Sequence, residues 1–153
     1  MLGNMSTSEE APETKVLKLH ECWRSLRSSS VGRLAVIGSS GPEIFPVNYL
    51  PGDGTLIFRT GPGTKLDALQ EGTPVALEAD GFNPYGTIAW SVVVKGQPEA
   101  IPENDLDQVT ADQKLSPWEP GVKDHLFRIT PTEISGRRFV ISTPGRWWAP
   151  QEP

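Results

Sequence analysis

Apolar positions recur with two different periods along the chain. Leu19, Cys22, Trp23 and Leu26 fall at i, i+3, i+4 and i+7, the stripe of an amphipathic helix. Three consecutive serines, Ser28 to Ser30, end it. From Gly32 onward the pattern changes to short apolar runs closed by turn residues, which predicts strands. Residues 32–37 (GRLAVI) and 43–50 (EIFPVNYL) flank the turn cluster 38–42 and predict a hairpin. Residues 55–60 (TLIFRT) predict a third strand. Thr64 as N-cap, Leu66 and Leu69 on one face, and Gly72 just past the end predict a short helix over 64–71. Residues 74–79, 87–96, 125–130 and 133–141 predict the remaining strands, with the β-branched run 87–96 in a central position. A loop is expected over 80–86. The polar stretch 102–121 is expected to hold one short helix around 105–112 and a loop containing Trp118. Residues 1–14 read as a disordered tail and residues 15–153 as a single domain. The expected class is mainly β (α+β). It is a small barrel of six to seven antiparallel strands, with an N-terminal helix and a short helix between strands three and four.

Composition agrees. Fifteen Gly and 15 Pro in 153 residues demand many turns and argue against a helical bundle. Five Trp and 37% hydrophobic residues argue against global disorder. No apolar stretch approaches the roughly 18 residues of a membrane-spanning helix. Fourteen basic against 19 acidic residues give a net charge of −5, which disfavours nucleic acid and anionic membrane as partners. A local basic pocket for one phosphate is still compatible with that balance. The single Cys22 excludes an internal disulfide and a multi-cysteine metal site. Residues 1–15 show no basic n-region followed by an apolar core, so a cytoplasmic protein is expected.

The inventory of reactive groups is sparse. No Gly-x-Ser-x-Gly, phosphate-binding Walker loop or Gly-x-Gly-x-x-Gly is present. His20 and His125 are isolated from other ligand types, so no metal site is expected. Cys22 lies on the apolar stripe and reads as a buried, inert thiol. No catalytic side chain can be named.

Three stretches carry candidate binding chemistry instead. The run Arg59-Thr60-Gly61-Pro62-Gly63-Thr64-Lys65 outlines a phosphate site. Arg59 offers a planar donor fork, Thr60 and Thr64 offer hydroxyls, and glycine lets backbone amides approach an anion. Lys65 stands where a helix would begin. An ordinary strand–turn–helix junction with solvated charges is the competing reading. Pro46 interrupts the strand that holds Val47, Asn48 and Tyr49, which implies an edge, a bulge or a gap. Trp90 and Ser91 open the longest strand, where a Trp serves either the core or a ligand.

Six blocks occur in order between residues 19 and 141: ECW at Glu21–Trp23, VGRLAV at Val31–Val36, FPVNY at Phe45–Tyr49, IFRTGPGTK at Ile57–Lys65, WSVVVKG at Trp90–Gly96 and ISGRR at Ile134–Arg138. Together they resemble the pyridoxamine 5′-phosphate oxidase-like superfamily, the flavin-binding split β-barrels, and in particular its short bacterial members. The resemblance implies a homodimer with two flavin mononucleotide (FMN) sites at the subunit interface. It implies an oxidoreductase that exchanges hydride or electrons with a small-molecule donor or acceptor. Carried over by motif, Arg59, Thr60, Thr64 and Lys65 would hold the phosphate. Pro46, Val47, Asn48 and Tyr49 would lie along the isoalloxazine ring, and Phe58 joins the set beside Arg59. Trp90, Ser91 and Val92 would contribute around the ring, from the same chain or the other one.

Some members of the superfamily bind the deazaflavin F420. An F420-dependent reductase and a flavin carrier without turnover are therefore the alternatives. In the candidate phosphate run the basic residues are Arg59 and Lys65, a short set that favours the shorter cofactor. The extra arginines, the histidine and the C-terminal signature by which the true oxidase recognises pyridoxine phosphate are not recognisable in this chain. Oxidation of vitamin B6 is therefore not implied. Arg137 or Arg138 could stabilise a reduced ring, and Trp147 and Trp148 could cover it or pack on a partner subunit.

Overall fold

A computed structural model describes residues 14–61, 64–102, 105 and 125–141. Seven strands and two helices follow in chain order. They are β1 (Thr14–Val16), α1 (Leu19–Arg27), β2 (Val31–Gly38), β3 (Gly41–Pro51), β4 (Leu56–Thr60), α2 (Thr64–Gln70), β5 (Val75–Phe82), β6 (Ile88–Ala100) and β7 (His125–Val140).

Helix α1 is capped by an acid in its first turn. The Glu21 carboxylate accepts the Lys18 backbone N–H at 2.8 Å, which ties down the entry to the first turn. That bond is the main cause of a lowered Glu21 pKa. Cys22 and Leu26 are buried and Trp23 packs against the core. Leu19, the first member of the predicted stripe, instead stands exposed in the opening turn. Helix α2 buries Leu69, rests Leu66 and Ala68 on the core, and is followed by Gly72 at φ +72°. That left-handed conformation is the reason a glycine stands there.

All strand pairings are antiparallel. Six strands form a ring in the order β7-β4-β3-β2-β5-β6, closed by β6 on β7, and β1 adds to the far half of β7. The expected hairpin is β2–β3, from Val31 opposite Asn48 to Gly38 opposite Gly41. Strict alternation sends one side of each strand inward. Leu34, Val36, Val47, Tyr49, Phe58, Leu77, Val92, Val94, Phe127 and Ile129 fill the interior. Phe58 stacks on Phe127 with centroids 5.8 Å apart.

Pairing extends several elements beyond their predicted ends. β5 continues through Asp80 to Phe82 and β6 continues to Ala100, because each residue there has a partner on a neighbouring strand. The predicted loop 80–86 shrinks to a turn in which the Asn83 side-chain oxygen accepts the Thr87 and Ile88 N–H groups at 2.8 and 2.9 Å. The two strands expected over 125–130 and 133–141 are one strand. Lys95 faces Glu133 and Gly96 faces Pro131, so Thr132 is the extra residue of a bulge. A Cβ on Gly96 would collide with the Thr130 carbonyl at that bend. The strand β1 was not anticipated.

Pro46 lies opposite Arg33 of β2. On its other side β3 pairs with β4 only from Tyr49 to Pro51. The proline therefore occupies a stretch of β3 that has one ladder, where a missing N–H is tolerated. The short helix expected around 105–112 lies outside the described residues except at Asp105. Trp118, Trp147 and Trp148 also lie outside them, as do Pro62, Gly63 and nearly all of the expected tail 1–14.

Candidate functional site

Alternation divides the sequence-derived set between two faces. Val47, Tyr49, Phe58 and Val92 point into the barrel and are at most 4% exposed. Tyr49 is anchored there: its hydroxyl donates to the Leu26 carbonyl at 2.7 Å, and burial pushes the phenol up to about 12. A ligand on the outside can reach these four residues only through their backbone. Pro46, Asn48, Arg59 and Ser91 have the opposite parity and stand on the outer face.

The register assembles that outer face into rows. Asn48 lies opposite Val31, and Asp80 opposite Ser91, which lies opposite Arg137. The β3–β4 register, continued one residue past Tyr49 opposite Phe58, sets Asn48 across from Arg59. Arg59 in turn lies opposite Leu126. The same strand face carries the small apolar cluster of Leu50, Ile57, Ile101 and Leu126. Thr60 is buried, with its hydroxyl donating to the Gly61 carbonyl at 3.3 Å. Thr64 and Lys65 open α2.

The next row runs Pro46, Arg33, Glu78, Val93, Ser135. It contains the main charged network of the described residues, which sequence reasoning missed. Arg33 Nε donates to Glu78 Oε2 at 2.7 Å, and Arg33 Nη2 lies 2.6 Å from Asp80 Oδ1. The hydrogen bond to Glu78 is the main cause of a raised Arg33 pKa. The Ser91 hydroxyl donates to Glu78 Oε1 at 3.2 Å. The available signal was a charge at an alternate position of an otherwise apolar run, as in GRLAVI and PVALEA. What the sequence lacked was the register that brings positions 33 and 78 together.

Trp90 has the inward parity but sits at the rim, half-buried against the core. It lies directly opposite Gly81. A Cβ on Gly81 would come within 2.8–2.9 Å of the indole, so the ring occupies the space that a side chain there would need. Cys22 is buried, and burial raises its thiol pKa. His20 and His125 are both exposed.

The geometry offers a guanidinium, an amide and a hydroxyl along one outer face, with no histidine or thiol among them. Such a donor set fits a flat heterocycle with an anionic tail better than it fits side-chain nucleophilic catalysis. Known proteins match the chain over most of its length. Residues 18–138 match the family model described as pyridoxamine 5′-phosphate oxidase. The chain belongs to this family. An uncharacterised protein of Mycobacterium tuberculosis, Rv0080, is 33% identical over 144 residues, spanning 90% of this chain and 93% of that one. The FAD binding protein of Mycobacterium smegmatis superposes with a TM-score of 0.66 at 34% identity, covering 82% of this chain and 98% of its own. An FAD-binding protein of Mesorhizobium loti superposes with a TM-score of 0.68 at 26% identity, covering 84% and 98%. The split-barrel fold expected from the resemblance is the one observed.

Proposed function

We propose that this family member binds a flavin nucleotide and acts as a flavin-dependent oxidoreductase. The observation that carries the reading is the parity of the strands. Asn48, Arg59 and Ser91 share the outer face, while the apolar residues between them fill the barrel. The names of the M. smegmatis and M. loti proteins support the cofactor class.

In this reading Arg59, with Thr64, Lys65 and the backbone of Thr60, holds the 5′-phosphate; the Thr60 hydroxyl is turned inward and committed to the Gly61 carbonyl. The backbone of Pro46 to Tyr49 and the Trp90–Val92 segment border the ring. A bound flavin supplies hydride transfer at its ring N5, so no side-chain nucleophile is required. The protein binds, orients and shields. FMN is the proposed ligand. FAD shares its ring and 5′-phosphate and is named for the two solved relatives. F420 is the third candidate. A second copy of the chain completes the site in this proposal. Ile37, Ile44 and Phe82 support it, because they are exposed on the same outer face as Arg33 and Pro46.

The test is the visible spectrum of freshly purified protein, followed by titration with FMN, FAD and F420 and by light scattering for mass. Reduction by a nicotinamide donor in stopped flow, then reoxidation by a quinone or nitroaromatic, is expected. Absence of binding to either flavin at micromolar concentration overturns the reading. Binding without any reduction leaves a carrier.

A further inference from the structure

A serine hydroxyl has one proton to give and two lone pairs to receive with. At Ser91 the proton is already committed. Its Oγ donates to Glu78 Oε1 at 3.2 Å, and a carboxylate on that side can only accept. The carboxylate is itself held in place. Arg33 donates to its other oxygen at 2.7 Å, and the same guanidinium reaches Asp80 at 2.6 Å. The Arg33 and Glu78 side chains are 41% and 29% exposed, so the pair is partly shielded from water. Asp80 also lies directly opposite Ser91, which keeps the local field negative on that side of the hydroxyl.

We propose that Glu78 and Arg33 are positioning residues that present Ser91 to the ligand as an acceptor only. The site then selects a ring edge that carries an N–H. On a flavin this edge is N3–H, so the pyrimidine end of the ring faces β6. The inference rests on the flavin reading and adds to it an orientation and a donor requirement. A network that merely tied β2, β5 and β6 together would be indifferent to the proton on the ring.

The test compares FMN with 3-methyl-FMN, in which a methyl group replaces the N3 proton, on the full-length protein. The unaltered protein is expected to bind 3-methyl-FMN about tenfold more weakly, the size of one hydrogen bond. In Ser91→Ala that ratio is expected to fall to about threefold or less, because no acceptor is left to miss the proton. In Glu78→Gln, Arg33 keeps the amide oxygen and the amide nitrogen turns toward Ser91. The hydroxyl proton is thereby released toward the ligand, FMN weakens about tenfold, and the ratio collapses. Circular dichroism establishes that each variant is folded. Ser91→Ala carries the test alone if Glu78→Gln does not fold.

An unchanged methylation ratio in Ser91→Ala overturns the proposal. So does parental FMN affinity in folded Glu78→Gln. FMN binding without any penalty for N3 methylation overturns this inference and leaves the flavin reading standing. Failure of the unaltered protein to bind FMN and FAD overturns both.

Discussion

The Tyr49 hydroxyl donates to the Leu26 carbonyl at 2.7 Å, across 23 residues of sequence and from β3 to the last turn of α1. Carbonyls in a last helical turn have no partner within the helix. Tyr49 supplies one from inside the barrel, where it is 1% exposed. The bond therefore docks the helix onto the strand that also carries Asn48.

Tyr49→Phe is expected to cost about 0.5–1.5 kcal/mol at neutral pH, because the Leu26 carbonyl loses its shorter donor and keeps the Ser29 N–H at 3.4 Å. The pH dependence follows from the phenol being pushed up from 10.0 to about 12 by burial. The folded state holds the proton more tightly than the unfolded chain. The associated stability is complete below pH 10 and is lost as the pH rises toward 12. A rise of that size is worth about 2–3 kcal/mol. Urea unfolding at pH 8, 10 and 11 should show a steeper loss for the parent than for Tyr49→Phe. Parallel losses would remove Tyr49 as the cause.

Gly136 lies under α1. A Cβ there would stand 2.7 Å from Cys22 Sγ, 3.1 Å from Leu17 and 3.2 Å from Val92. Gly136→Ala is expected to destabilise by about 1–3 kcal/mol through overpacking. Cys22→Ala removes the sulfur that the new methyl meets. The double variant should recover part of the loss, giving a coupling of about 0.5 kcal/mol or more in a double-mutant cycle. Strict additivity would show that the clash is relieved elsewhere.

The sequence carried local information well and register poorly. The α1 stripe, the β2–β3 hairpin and the Gly72 helix end rest on contacts between near neighbours, so periodicity and turn residues revealed them. β1 is three residues long and exists because β7 offers it an edge. No local pattern announces such a strand. β7 looked like two strands because Pro131 and Thr132 resemble a turn, yet the ladder to β6 carries the chain through as a bulge. The site divides the same way. Arg59 was visible from its neighbours in sequence. The Arg33–Glu78 pair joins positions 45 apart and depends on β2 lying beside β5. Alternation was legible, but which parity faced outward was not. For that reason core residues such as Phe58 and Val92 stood in the same set as Arg59 and Ser91.

Arg59→Ala separates phosphate recognition from ring recognition. A charge-assisted bond to phosphate is worth about 1.5–3 kcal/mol, so FMN affinity should fall roughly 10- to 150-fold. Riboflavin has the same ring without the phosphate, and its affinity should change by about threefold or less. The FMN affinity of the parent should also weaken with added salt, and that of the variant much less. Equal losses for FMN and riboflavin would place Arg59 at the ring or in the scaffold rather than at the phosphate.

Trp90 offers a readout at the opposite edge of the site. Its indole lies over Gly81, whose missing Cβ makes the room. Gly81→Ala puts a methyl within 2.8–2.9 Å of the ring and must displace it, because the opposing backbone is fixed by pairing on β5 and β6. Alanine is tolerated at this extended position, so the fold should survive with a loss of about 1–2 kcal/mol. The displaced indole moves away from the bed it shares with the core. Its fluorescence should shift to the red, and Trp90→Phe, measured in parallel, identifies the signal among the five tryptophans. If Trp90 borders the bound ring, flavin affinity in Gly81→Ala should fall by about tenfold and fall no further in the double variant with Trp90→Phe. A red shift without any change in affinity would make Trp90 a cover for Gly81 and nothing more.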